Sequence, residues 1–228
     1  MHLAPIVRRL APLALLVAPA LWPGCKCVEV SDVPAETSAP AITTAFRDTF
    51  DRASLGSDWK DTSDDKAYRI ENGELVVKSS FNHPLWLARP IPRDAKIDFD
   101  CWSNDDAGDL KVEVWGDGKS FSTDRVGAYT SSAYNFIFGG WHNQLSTLAR
   151  MHEHGDDRQS RADPRVEKGR HYHFTISRKG TRVEWRIDGQ PFLSLDDSQP
   201  LEGPGHDHFA FTNWEAELHF DNLVIVPQ

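Results

Sequence analysis

The chain has 228 residues, of which 39% are hydrophobic and 11% aromatic, and this is enough apolar side chain to fill one large core. Its mean hydropathy of -0.50 excludes a membrane protein with many spans. Its formal net charge of -9 at pH 7 argues against nucleic acid as a partner, because binding to phosphates requires a basic surface.

The N-terminal residues predict export. Arg8 and Arg9 precede an apolar run, LAPLALLVAPALW, which is too short for a comfortable transmembrane helix. Gly24 and Cys25 end the run, and a small residue directly before a cysteine resembles the bacterial lipoprotein signal, in which that cysteine is acylated. We therefore expect residues 1–24 to be a signal peptide and Cys25 to carry a lipid anchor that attaches the exported protein to the cell envelope membrane. Ordinary secretion is the alternative.

Residues 25–45 are expected to form a flexible tether, because they are rich in Pro, Ala, Ser, Thr and acids and have no sustained apolar period. The tether contains a second cysteine, Cys27. In an exported chain Cys27 can form a disulfide with Cys101. The preferred alternative is that Cys101 is buried and Cys27 unpaired, since Cys27 lies next to a segment without predicted structure.

From Phe46 onward the apolar period is two, with turn signals at short intervals, which is typical of an all-β protein. The segment YRIENGELVVK predicts a hairpin, because Asn72-Gly73 suits a type I′ turn. Residues 170–195 predict three further strands, with turns at Lys179-Gly180 and Asp188-Gly189. Other strands are expected at residues 86–88, 97–103, 110–115, 134–138, 145–151, 209–213 and 218–226.

With roughly a dozen strands and no convincing amphipathic helix, two sheets packed face to face are expected. Four stretches, FRDTFDRASLGSDW, YRIENGELVV, HYHFTISRKGTRVEWRIDGQPF and FTNWEAELHFDNLVIV, resemble the concanavalin A-like lectin/glucanase superfamily, in particular its exported bacterial domains of laminin-G-like type. The resemblance implies one antiparallel jelly-roll β-sandwich over residues 46–228. It does not decide function, since the superfamily includes sugar-binding modules, hydrolases, lyases and adhesion domains.

Side chains alternate between the two faces of a strand, so the apolar set identifies the core side. At residues 97–103 this places three residues on the outer face: Asp98, Asp100 and Trp102. At residues 110–115 it places Lys111, Glu113 and Trp115 outside. If these strands are neighbours, two tryptophans and three carboxylates line one concave surface.

This surface predicts non-catalytic binding of carbohydrate, because indole rings stack on pyranose rings and carboxylates accept hydrogen bonds from hydroxyls. One alternative is a structural or adhesion lipoprotein without a small ligand, in which loops cover both tryptophans. The other is a glycoside hydrolase that uses Asp98, Asp100 and Glu113. Retaining glycosidases need two carboxyl groups about 5 Å apart. Laminarinase-like relatives supply them from a Glu-x-Asp-x-x-Glu run, which this chain lacks.

The strand at residues 145–151 is expected to turn Leu145, Thr147, Ala149 and Met151 to the core. This would place Arg150, His152 and His154 together outside, beside Trp141, as a further ligand-facing edge. Three His-x-His pairs, at residues 152/154, 171/173 and 206/208, have the spacing of zinc or copper ligands. Metal binding is the less favoured hypothesis, because most surface histidines bind nothing.

The resemblance also implies a structural calcium ion. Superfamily members often bind Ca²⁺ with oxygens of the first loop and the last strand, where this chain has Asp48, Asp51, Asp221 and Asn222. The alternative is that Asp48 and Asp51 cap turns and that Asp221 is solvated.

Overall fold

The computed structural model describes residues 39–64, 66–124 and 129–228. The predicted signal peptide, Cys25, Cys27 and most of the tether lie outside the described residues, so those predictions remain predictions. Within the described part, Ile42 is buried and its backbone N–H donates to the Pro90 carbonyl at 2.8 Å. The folded domain therefore begins before residue 46, and the end of the predicted tether packs on the sandwich. No described helix has the length and apolar character needed to cross a membrane.

The described residues form two antiparallel sheets. The first half of the chain contributes β1 (Phe46–Asp48), β2 (Trp59–Asp61), β3 (Tyr68–Glu71), β4 (Glu74–Val77), β5 (Leu85–Leu87), β6 (Ala95–Ser103) and β7 (Leu110–Gly116). The second half contributes β8 (Thr130–Gly139), the single turn α1 (Gly140–Asn143), β9 (Leu145–His152), β10 (Gln159–Arg161), β11 (Tyr172–Lys179), β12 (Arg182–Ile187), β13 (Gln190–Asp196), β14 (His208–Thr212) and β15 (Leu218–Pro227). All the strands predicted from the period of two are present.

The eight-stranded sheet has the order β13-β12-β11-β6-β15-β4-β3, with β1 also paired to β15. The seven-stranded sheet has the order β10-β9-β8-β7-β14-β5-β2. The predicted two-sheet antiparallel sandwich is therefore confirmed. The Asn72-Gly73 turn joins β3 to β4 with both residues at positive φ, 54° and 82°, as the type I′ prediction requires.

A phenylalanine cluster fills the space between the sheets. Phe99 of β6 lies 5.3 Å, ring centroid to ring centroid, from Phe174 of the same sheet, and 5.7 Å from Phe211 of the other sheet. Cys101 is fully buried in this core as a free thiol, and burial raises its pKa. The prediction of a buried Cys101 is confirmed.

Sheet membership corrects the predicted binding surface. β6 belongs to the eight-stranded sheet and β7 to the seven-stranded sheet, although they are consecutive in the chain. The apolar sides of both strands meet in one core, so their outer sides face opposite surfaces of the sandwich. The prediction that Asp98, Asp100 and Trp102 share a surface with Glu113 and Trp115 is therefore wrong.

Trp115 does not face outward. Its backbone φ of 59° interrupts the alternation of β7, and the register of β14 against β7 shifts at the same place. The indole is fully buried, lies edge-to-face with Tyr134 and donates its N–H to the Pro92 carbonyl at 3.0 Å. Trp115 is therefore a core residue and not a sugar-stacking residue.

The predicted alternation of β9 is wrong at Thr147 and Ala149. Leu148 faces the core, where it pairs in register with Phe136, while Thr147 and Ala149 lie on the outer side. Arg150 points to the same side as Leu148 and binds the carboxylate of Asp197 at 3.0 Å. Met151, at a φ of 59°, also packs against the core, as predicted, and His154 lies against Trp141 instead of Arg150. Threonine and alanine occur both in cores and on outer faces, so the sequence pattern could not show which side of β9 faces the core.

Candidate functional site

The outer side of the seven-stranded sheet carries a cluster of buried polar residues. Lys111 pairs in register with Thr212, Glu113 with Asn135, and Ile137 with Thr147, so these side chains share one face. At one end of this face Trp86 is fully buried against Ala133 and Ala210. Its indole N–H donates to the Ser120 carbonyl at 3.0 Å, so a loop closes that end.

The other end of the face opens into a pocket with a volume of about 270 Å³. Lys111 and Ile137 form its floor, and Asp109 and Glu153 also line it. Trp141 comes from α1 between β8 and β9, whereas Trp214 comes from the segment between β14 and β15. The two half-buried indoles thus enter from either side of β7. His142 and His154, both exposed, complete this rim.

A buried ion pair supports the floor. Lys111 Nζ donates to Glu153 Oε2 and to Asn82 Oδ1, each at 2.6 Å. Burial alone would lower the pKa of Lys111, but Glu153, Asp109 and Glu113 together hold it above its ordinary value. Burial likewise opposes ionisation of Glu153, yet Lys111 keeps its pKa below the usual range. Both groups are therefore charged at neutral pH.

Two further carboxyl groups flank Lys111 on the same strand face. Burial raises the pKa of Asp109 to about 6 and that of Glu113 to about 7. Asp109 Oδ2 accepts the backbone N–H of Trp214 at 2.6 Å, which ties the carboxylate to one wall. Glu113 is fully buried and accepts hydrogen bonds from Ser131 and, at 3.4 Å, from Tyr129.

Several buried polar atoms of this face have no protein partner among the described residues: Glu113 Oε1, Asn135 Oδ1, Thr147 Oγ1 and Thr212 Oγ1. Buried polar groups without protein partners are few in folded proteins, and a cluster of them calls for an explanation. These atoms lie on adjacent strands next to the pocket. Their clustering there marks this side of the sheet as the candidate site.

The turn α1, which carries Trp141 into the pocket, has an unusual backbone conformation. Trp141, His142 and Asn143 have φ values of 52°, 57° and 60°, the left-handed region that non-glycine residues avoid. Asn143 fixes the turn, since its side chain donates to the Val166 carbonyl at 2.8 Å and accepts the Val166 N–H at 2.9 Å. Such strain persists where surrounding contacts enforce it, and it is common at binding sites.

The structure brings together only part of the predicted ligand-facing edge. Trp141 and His154 are edge-to-face at 5.3 Å, and the rings of His152 and His154 are 6.0 Å apart. Trp102 lies elsewhere, on the eight-stranded sheet, with its ring stacked between His171 at 3.9 Å and His219 at 5.0 Å. Both faces of the Trp102 indole are thus covered by histidine.

The proposed catalytic trio does not assemble. Asp98 accepts the Thr175 hydroxyl at 2.7 Å and Asp100 binds His173 Nδ1 at 2.7 Å, both on the eight-stranded sheet. Glu113 is on the other side of the sandwich. The hydrolase hypothesis in that form is wrong, because these carboxyl groups cannot face one glycosidic bond.

The calcium residues fit the implied ion poorly. Asp48 Oδ1 accepts from Phe50 N at 2.9 Å and from Arg52, and Oδ2 accepts from Arg52 and, at 2.8 Å, from Trp59 Nε1. Both of its oxygens are engaged, which supports the turn-capping alternative for Asp48. Burial, Asp100 and Asp51 raise the pKa of Asp221, and Asn222 donates to Asp100 at 2.9 Å.

Across residues 39–64, 66–124 and 129–228, no three His, Cys, Asp or Glu side chains are arranged to hold a metal ion. This includes the calcium residues and the three histidine pairs. His173 is instead bound to Asp100, and His206 Nδ1 lies 2.8 Å from the Ser132 carbonyl.

Sequence reasoning missed Asp109, Glu153 and Trp214. Lys111 and Glu113 alternate along β7, and continuing the alternation two residues from Lys111 towards the N-terminus would have found Asp109, which directly precedes the strand. Glu153 reaches the pocket from the residue directly after β9, and Trp214 reaches it from the segment after β14. No spacing in the sequence connects those two segments.

No protein-family model and no curated protein sequence matches this chain. Among solved structures, carbohydrate-binding module CBM66 from Bacillus subtilis is 14% identical, with a TM-score of 0.54 over 76% of this chain and 98% of that one. A protein of unknown function with a galectin-like fold from Bacillus subtilis is 13% identical, with a TM-score of 0.58 over 80% of this chain and 96% of that one. Laminarinase from Flavobacterium sp. UMI-01 is 9% identical, with a TM-score of 0.54 over 81% and 100%. These likenesses establish the fold.

Proposed function

We propose that this chain, a concanavalin A-like jelly-roll sandwich, binds carbohydrate without transforming it, in the pocket beside β7. The observation that supports this most directly is the pair of half-buried indoles, Trp141 and Trp214, on either side of a polar floor. An apolar wall with a few convergent polar groups is the usual composition of a small-molecule site. Two of the similar structures are named as a carbohydrate-binding module and a laminarinase, which favours a glycan as the ligand.

Each element of the pocket suits a sugar. The indole faces can stack on the C–H side of a ring. Asp109 can accept hydrogen bonds from hydroxyl groups, since its Oδ1 has no hydrogen bond within the described part of the chain. Lys111 donates two of its three N–H bonds to protein, which leaves one for a ligand.

The arrangement favours binding over hydrolysis. A glycosidase needs two available carboxyl groups across one bond. Glu113 is fully buried, and Glu153 is held by Lys111. The carboxyl groups open to the pocket are Asp109, which binds the backbone N–H of Trp214, and Glu215, the next residue on that wall, so they do not lie on opposite sides of one glycosidic bond. The structural-lipoprotein alternative gained from the burial of Trp102 and Trp115, but it gives no role to the Trp141 and Trp214 pocket.

Replacing either Trp141 or Trp214 by alanine is expected to weaken glycan binding by about 5- to 10-fold, since each substitution removes a stacking surface worth about 1–1.4 kcal/mol. The measurement is retention of the domain, residues 39–228, on a panel of immobilised polysaccharides. Trp102→Ala is the matched control and should bind as the unchanged protein does.

Assay of reducing ends in the same incubations separates the three hypotheses. Retention without release of reducing ends supports a binding module. Release of reducing ends would identify a hydrolase, and absence of retention on every glycan would leave the structural lipoprotein.

We also propose that the protein is exported and that Cys25 carries its lipid anchor, with the predicted tether holding the sandwich beyond the membrane. Cys25→Ser is expected to move the protein from the membrane fraction to the soluble fraction. The measurement is immunoblotting of fractionated cells, with Cys27→Ser as the matched control that stays in the membrane. A Cys25→Ser variant that remained in the membrane would contradict the anchor.

A further inference from the structure

We infer that the pocket selects glycans that carry free amino groups and disfavours glycans that carry carboxylates. This inference rests on the proposed function and adds the chemical class of the ligand. It comes from the charges around the cavity. The carboxyl groups in or beneath it are Asp109, Glu113, Glu153 and Glu215, and the cations near it are Lys111 and Arg158.

The lysine in the pocket does not offer its charge to an anion. Lys111 is almost fully buried and is paired with Glu153 at 2.6 Å. Asn82 receives a second N–H, so the ammonium group is fixed in place. A uronic acid would therefore meet a cation whose charge is already balanced, and it would have to lose water to enter.

Arg158 does not reverse this balance. Its guanidinium lies over the Trp141 ring at 5.6 Å, and it donates to the Glu153 carbonyl at 3.1 Å. It is not among the described residues that line the cavity. Its position shows that the Trp141 ring accommodates a cation on one face.

Asp109 and Glu215 are the acids of the pocket that form no direct ion pair within the described part of the chain, although Lys111 acts on Asp109 at longer range and lowers its pKa. Asp109 is held by the Trp214 N–H, and Glu215 is exposed on the next residue of the same wall. A protonated amine in the pocket would lie beside these carboxylates and against an indole ring. Cation–π contact and an ion pair each favour the charged amine over a neutral acetamide.

The experiment is calorimetric titration of the domain, residues 39–228, with glucosamine oligosaccharides, with N-acetylated oligosaccharides of the same length, and with oligogalacturonides. The expected order of affinity is amino, then N-acetyl, then uronate, with about 10-fold between the first two. Asp109→Asn should remove most of that preference. Asparagine tolerates the φ of 68° at this position and keeps an acceptor for Trp214. Asp98→Asn, on the opposite surface, is the control and should keep the full preference.

The outcomes separate this inference from the function on which it rests. Equal affinity for amino and N-acetyl oligosaccharides, or tighter binding of uronate, would overturn the charge selectivity while leaving carbohydrate binding intact. Tighter binding of choline alone than of any glucosamine oligosaccharide would also overturn it, because the site would then be a receptor for small cations. Absence of binding to every glycan would reject the proposed function itself.

Discussion

Lys111→Met is expected to lower the free energy of unfolding by about 3–5 kcal/mol, because removing one partner of a buried ion pair leaves the other charge uncompensated. The charge that remains is Glu153, which keeps the backbone hydrogen bond of Tyr129 and, as its ion-pair partner among the described residues, the exposed His154, whose Nε2 is at 3.6 Å. Asp109 and Glu113 lose the cation that offsets their burial at the same time. Urea unfolding followed by tryptophan fluorescence measures the change.

The double variant Lys111→Met with Glu153→Gln tests the cause. It should recover much of the lost stability, since it removes both charges of the pair. Lys96→Met is the matched surface control, because Lys96 pairs with Asp98 at an exposed site where ion pairs contribute little. A double variant as unstable as Lys111→Met alone would mean that the loss comes from packing and not from the unpaired charge.

Trp115→Ala is expected to cost about 3–5 kcal/mol of stability, as for other large aromatic side chains removed from a core. The indole is fully buried and edge-to-face with Tyr134 at 6.1 Å. Arg178, also fully buried, lies over its ring at 5.3 Å and would lose that contact. The midpoint of urea unfolding should shift to a lower urea concentration.

Trp102→Ala is the comparison that tests the corrected placement of the two tryptophans. Trp102 is also largely buried, but on the outer side of β6 between two histidines, where its removal leaves no enclosed core cavity, so its loss should cost less, about 2–3 kcal/mol. Equal destabilisation by the two variants would argue that Trp115 and Trp102 have similar surroundings, as the alternation of β6 and β7 predicted.

The sandwich architecture could be predicted from the sequence because its signals are local. Asn72-Gly73 and Asp188-Gly189 adopt the positive φ that their residue types favour, and the apolar period of two gives the strands around them. The core side of β6 and β11 also follows directly from alternation. Such features depend only on residues a few positions apart.

The arrangement of the strands could not be read in the same way. Alternation assigns a face to Asp98 and to Glu113, but it does not say that β6 and β7 belong to different sheets. The positive φ of Trp115 is imposed by its neighbours in space and has no sequence signal, since tryptophan seldom adopts it. In β9, threonine and alanine suit a buried outer face as well as a core.

The pocket was predictable in part. Trp141 and His154 were expected near a ligand, and Lys111 and Glu113 were expected on one face of their strand. Glu153 was missed because a buried acid is recognisable only through its partner, which lies in β7. Trp214 was missed for a similar reason. Its place in the pocket is visible only through the hydrogen bond from its backbone N–H to Asp109, which is far away in the sequence.

The left-handed turn at Trp141, His142 and Asn143 also bears on the thermodynamics of recognition. A pocket wall that is fixed before the ligand arrives loses little conformational entropy on binding, so more of the free energy of its contacts contributes to affinity. The side chain of Asn143, through Val166, supplies that preorganisation from outside the cavity. Affinity in this pocket thus depends on a residue that need never contact a sugar.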